Sequence, residues 1–176
     1  MIARLRNLLA NQDGAALIEM AMVAPVFALM VIGVVDMSNA FSRKLALEQG
    51  AQRAIEKIMQ TTEDSTVEGT LKTEAICQVN GVNSDGSCKS SPITASNVTT
   101  MYTLECTGSG GAATTQQNSD PATFEAYTCG SGTTKSASYL SVIVTDQYTP
   151  LFPLHFSAFN SDGTYHLSAT AGMRIE

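Results

Sequence analysis

Polar and apolar residues are distributed very unevenly along this chain. Positions 15–35 read AALIEMAMVAPVFALMVIGVV, interrupted by one charge, Glu19, and one helix breaker, Pro25. A run of this length is enough to cross about 30 Å of hydrocarbon as a helix. After Asp36 the pattern becomes one-sided. Leu47, Ala51, Ala54, Ile55 and Ile58 recur at helical spacing, with Arg43, Lys44, Glu48, Arg53 and Glu56 largely elsewhere. The pattern predicts one helix over residues 15–59, roughly 65–70 Å long at 1.5 Å per residue. Residues 61–66 are polar and acidic and read as a hinge or helix break. A short helix over 65–79 follows, with Ser65 as cap and Glu68 as its capping-box partner. Strands are predicted over 98–106, 123–129, 139–148 and 165–175. The third is the clearest, since Leu140, Val142 and Val144 alternate with Ser141, Ile143 and Thr145. Residues 81–87 are a loop by composition, and the Gly/Thr/Gln-rich stretch 107–121 reads as an exposed, mobile loop. A long helix followed by antiparallel strands gives an α+β fold: the helix packed on a small antiparallel-sheet head.

Three readings of the apolar run compete. A core helix is disfavoured, because so small a chain could hardly bury a helix that is apolar on every face. A secretory signal would use Arg4 and Arg6 as its basic region and be cut after Ser38-Asn39-Ala40. Its apolar core would be longer than the usual 7–15 residues and would contain the Glu19 carboxylate. The third reading is a transmembrane anchor. A charge at the bilayer centre costs at least about 2.5–3.5 kcal/mol, so Glu19 needs an explanation. Near the start of the span it could snorkel to the headgroups, helped by the positive helix N-terminus. Its setting points further: Gly14 is followed by Ala15-Ala16-Leu17-Ile18-Glu19, directly behind a short basic leader.

This arrangement resembles the cleavage signal of type IV pilin-like proteins, and the stretch 14–58 is similar to the TadE-like minor pilins (pseudopilins) of the tight-adherence pilus. Gly14, Glu19, Pro25 and Asp36 occupy that family's recurring positions, while Met20 stands where processed members usually carry an aromatic. The resemblance implies that a prepilin peptidase removes residues 1–14, cutting between Gly14 and Ala15. It also implies that Glu19 pairs with the new Ala15 amine of a neighbouring subunit and so sets axial register. An opposite-charge pair in low dielectric can specify register even where its net energy is small. Pro25, lacking an amide hydrogen, is expected to kink or locally unwind the helix. The organisation that follows is a leader over 1–14, a transmembrane segment over 15–36, a continuation of the helix over 37–60 and an extracytoplasmic head over 61–176.

Composition narrows the function. Ten Lys and Arg against sixteen Asp and Glu leave a net charge of −6, which argues against a nucleic-acid partner. Cys77, Cys88, Cys106 and Cys129 all fall in the head. Without any C-x-x-C pair, and with His155 and His166 off finger spacing, they read as a disulfide framework rather than a zinc site. Of three possible connectivities, Cys77–Cys88 and Cys106–Cys129 is favoured: the first closes the Gly/Asn/Ser loop and the second spans the polar loop between strands. Disulfides place the head outside the cytoplasm, although Arg43 and Lys44 on that side run against the charge bias set by Arg4 and Arg6. No catalytic motif, cofactor fingerprint or metal-ligand spacing is present, so neither an enzyme nor a cofactor is expected. Asp85-Gly86 and Asp162-Gly163 read as turns. The segment 150–156, PLFPLHF, reads as an apolar bulge between the last two strands.

The family resemblance implies a pilus-assembly protein involved in surface attachment and biofilm formation. It would sit in the inner membrane as a single-pass protein with its N-terminus inside, or enter the extracellular fibre. Its implied partners are the prepilin peptidase, other minor pilins, the major pilin and the inner-membrane assembly platform. The alternative is a membrane-anchored or secreted binding module unrelated to pili.

Overall fold

The computed structural model describes residues 13–60, 67–151 and 160–175, with the backbone alone for 13–16. Helix α1 runs unbroken from Asp13 to Gln60, 48 residues, with Pro25 inside it. At 1.5 Å per residue it is about 72 Å long. Helix α2 spans Val67–Asn80, and a 3-10 turn at Ala95–Asn97 leads into strand β1, Val98–Gly108. Strands β2 (Ala113–Asn118), β3 (Thr133–Tyr148) and β4 (Tyr165–Arg174) complete an antiparallel sheet of order β2-β1-β3-β4. A five-residue helix α3, Pro121–Glu125, lies between β2 and β3. The fold is α+β: a long apolar helix packed on a small four-stranded sheet.

The register explains which side of the sheet is covered. On β3, Ser138, Leu140, Val142, Val144 and Asp146 are buried, as are Val98, Thr100, Tyr102 and Leu104 on β1. Alternation puts these residues on one face, and Val98 pairs with Val144, Thr100 with Val142 and Tyr102 with Leu140. Against that face lie Leu47, Ala51, Ala54 and Ile55 of α1 and Leu71 and Ala75 of α2, with Ile93 closing the core. The stripe over 47–58 is therefore the core-facing side of α1, with Ile58 packed partly buried at its edge.

Small residues let the two helices approach closely. A Cβ on Gly50 would lie 2.6 Å from Val79 Cγ2 and 3.1 Å from the Ala75 carbonyl oxygen. At the end of α2, the buried Asn80 acts as a clamp. Its amide donates to the carbonyls of Lys89 and Ile93, both at 2.7 Å, and its oxygen accepts the Ile93 N–H at 3.0 Å. Gly81, at φ +79°, ends the helix by donating to the Cys77 carbonyl at 2.9 Å. Cys77 is bonded to Cys88 and Cys106 to Cys129, with Cα separations of 4.6 and 5.7 Å.

Two expectations need correction. Residues 123–129 are not a strand: Asp120 caps helix α3, accepting from the Ala122 N–H at 3.2 Å and the Thr123 hydroxyl at 2.6 Å, with Pro121 in the first turn. Phe124 then packs on Tyr102, ring centroids 5.4 Å apart, and covers the end of the core. The missing strand is β2, inside the stretch read as a mobile loop. Its residues are almost all exposed, so it shows no alternation, yet it pairs with β1 from Tyr102↔Asn118 to Thr107↔Ala113. Gly111, at φ +79°, makes the turn between them. Helix α2 starts at Val67, and Glu68 holds Lys72 one turn on at 2.6 Å; the expected cap, Ser65, and the break at 61–66 lie outside the described residues. Asp85-Gly86 and Asp162-Gly163 do form turns, each glycine at positive φ.

Gly50→Leu places a side chain into the α1–α2 contact. It should lower the stability of the head by about 1–3 kcal/mol, read from denaturant midpoints with the disulfides intact; an unchanged midpoint would refute the close approach.

Candidate anchoring helix and its attachment to the head

The candidate functional element is α1 itself. From Leu17 onward it is long and apolar enough to cross a membrane, with a mean hydropathy of 2.3 in its most apolar stretch and none of that stretch buried. This removes the core-helix reading, because the sheet covers α1 only from Asp36 on. Side chains such as Leu17 (73% exposed), Met22 and Phe27 lie exposed, with none of the described residues of the head covering them. Gly14 and Ala15 lie in the first turn, and Glu19, exposed, stands one turn above Ala15. Pro25 falls within the apolar stretch, where the helix continues through it.

Where the apolar run closes, the helix becomes attached. Asp36 is only 7% exposed, and its carboxylate faces the sheet. Oδ1 accepts the Leu151 N–H at 2.9 Å and lies 3.4 Å from the Tyr148 hydroxyl. Burial of the Tyr148 phenol and the neighbouring Asp36 charge push its pKa up, while a hydrogen bond with Asn39 works the other way. Seven residues on, two helical turns along the same face, the Arg43 guanidinium holds Asp146 at 2.6 Å. Asp146 is also only 7% exposed, and its second oxygen accepts the Gln147 N–H at 2.9 Å. Two carboxylates, one on the helix and one on β3, thus clamp α1 to the lower end of the sheet. Below the clamp, Tyr148 stacks on Tyr165 with centroids 6.3 Å apart. The turn beyond is held by Asp162, which accepts from Thr164 and sits 2.7 Å from His166 Nε2. The His166 hydrogen bond, followed by those from Thr164, brings the Asp162 pKa down to about 2.

Asp36 closes the apolar run and at the same time faces the head, while Arg43, expected largely away from the packed face, turns toward β3. A signal was present: Asp146 shares the parity of Leu140, Val142 and Val144, and an acid at an inward position needs a partner. The four cysteines lie in the head, away from this clamp, and His155 falls outside the described residues.

Residues 14–55 match the family model described as TadE-like protein, a span from the first turn of α1 through the clamp to Ile55. This segment is TadE-like. The match likens this segment to the TadE-like family, whose members are components of the tight-adherence pilus. Comparison with curated proteins and with solved structures gave no match. The TadE-like segment contains both halves of the helix side of the clamp, Asp36 and Arg43, whereas the sheet that receives them lies outside the matched span.

Arg43→Ala leaves the buried Asp146 carboxylate without its charged donor and should cost roughly 1.5–3 kcal/mol. Adding Asp146→Asn should recover part of the loss, because the uncompensated charge is then gone. Purely additive losses in this double-mutant cycle would show that the two side chains are not coupled.

Proposed function

We propose that the chain is a minor pilin, or pseudopilin, that supports assembly of a tight-adherence type IV pilus, and through it surface attachment and biofilm formation. The observation that carries this reading is the coincidence of the TadE-like match with a helical stretch that the head leaves bare. A helix apolar on every face has to be covered by lipid or by other apolar helices. A membrane-held subunit that enters or nucleates a helical fibre provides both in turn.

In this reading residues 1–14 are a leader that a prepilin peptidase removes after Gly14, and residues 15–36 span the inner membrane. Residues 37–60 carry the head on the outer side, where the disulfides form. The Ala15 amine then meets Glu19 of a neighbouring subunit within the helix bundle, where a buried carboxylate requires a cation. Pro25 frees one backbone carbonyl that packed neighbours can satisfy. The partners are the prepilin peptidase, the other minor pilins, the major pilin and the inner-membrane assembly platform. Cleavage after Ala40, as an ordinary secretory signal would have it, fits less well. It would discard Asp36 and the hydrogen bonds that tie the helix to the head.

Intact mass and N-terminal sequencing of the protein from native membranes test the reading. An N-terminus at Ala15 is expected; one at Phe41 would make the chain a secreted module and sink the proposal. Glu19→Ala should reduce piliation with the head still folded, and wild-type piliation in that variant would remove the register role.

A further inference from the structure

The clamp fixes which end of the head meets the end of the apolar run. Asp36 closes that run, and the Leu151 backbone is hydrogen-bonded to its carboxylate at 2.9 Å. Leu151 therefore sits at the level along α1 where about 30 Å of apolar helix ends. It is 62% exposed. Beside it lies the stacked pair Tyr148–Tyr165, at the end of β3 and the start of β4. Tyrosines, with an apolar ring and a polar tip, concentrate at membrane–water boundaries. The opposite end of the same strands is far away: Tyr139, paired with Arg174, is nine residues up β3 from Tyr148, about 30 Å at strand rise.

We propose that this pole of the head, Leu151 with the Tyr148–Tyr165 pair, rests in the outer headgroup layer of the bilayer, giving the protein a second lipid contact besides its span. The proposal rests on the reading of α1 as a membrane anchor. A lone helix leaves the attached head free to rotate about the helix axis and to tilt. A second contact on the sheet side of α1 restrains both motions. The surface is apolar and aromatic, with the adjoining Asp162 engaged by His166 and Thr164, so the matching partner is a zwitterionic lipid surface.

The chain contains no tryptophan, so a single introduced indole reports its own surroundings. Leu151→Trp keeps the backbone N–H that Asp36 holds. The full chain would be reconstituted at low protein-to-lipid ratio in phosphatidylcholine vesicles whose acyl chains are brominated either near the headgroup or near the chain end. Leu151→Trp should lose emission to the shallow bromines and shift to shorter wavelength. Val31→Trp, about 8 Å into the span from Asp36, should be quenched by both bromine positions, and Tyr139→Trp by neither. Tyr165→Trp provides a second reporter at the same pole should Leu151→Trp fail to fold.

If the pole reporters behave like Tyr139→Trp while Val31→Trp is quenched, the anchor stands and the lipid contact is refuted. Protection from aqueous quencher without bromine quenching means that the pole is covered by protein, which also refutes it. If Val31→Trp itself escapes quenching, the anchor reading fails and the lipid contact falls with it.

Discussion

A single helix has to satisfy two environments, and the rest of the structure follows from how it passes from one to the other. Over residues 15–35 the helix is apolar on every side, so no face is marked for the sheet, and none of its most apolar stretch is buried. From Asp36 on, one face is specified. Asp36 and Arg43 turn toward β3 and are followed by Leu47, Ala51, Ala54 and Ile55 in the core. The changeover is made with charges rather than bulk. A carboxylate just beyond the apolar run finds acceptable surroundings only where backbone and phenol donors meet it. The end of β3 supplies the phenol and the segment just after it the backbone N–H.

The head that receives the helix is small and rich in Gly, Ser and Thr, and it compensates for a modest apolar core in three ways. Close helix–helix approach at Gly50 and Ala75 raises packing density without large side chains. The Asn80 clamp ties the 81–93 loop to the end of α2 through three hydrogen bonds. The two disulfides close loops at opposite parts of the head, each contributing about 2–4 kcal/mol by restricting the unfolded chain. Because α1 contributes a full face of the core, helix and head form one body, and a force or a change of tilt applied to the anchor is delivered to the sheet.

Much of this was legible along the chain wherever one physical term dominated. The run 15–35 is so apolar that its helicity and exposure follow from hydropathy alone, and the inward parity of β3 is written in Leu140, Val142 and Val144. Where terms compete, reading was poorer. Strand β2 is exposed on both faces and made of Thr and Gln, so only its backbone pairing to β1 defines it, and pairing partners leave no mark on local composition. Residues 121–125 contain Thr and Phe, favourable to strands, but the Asp120 cap and Pro121 decide for a helical turn.

The long helix, its apolar half, its packed stripe and the α+β arrangement follow from periodicity and local residue chemistry, and the motif residues within 14–55 carry the TadE-like likeness. The meeting of Asp36 with Leu151 and Tyr148, that of Arg43 with Asp146, and the level of the Leu151 pole at the end of the apolar run arise in the folded chain alone. Those partners are more than a hundred residues apart in the chain. Their meeting depends on strand register and helix rotation together, and a shift of one residue in the register would turn Asp146 to the opposite face of the sheet.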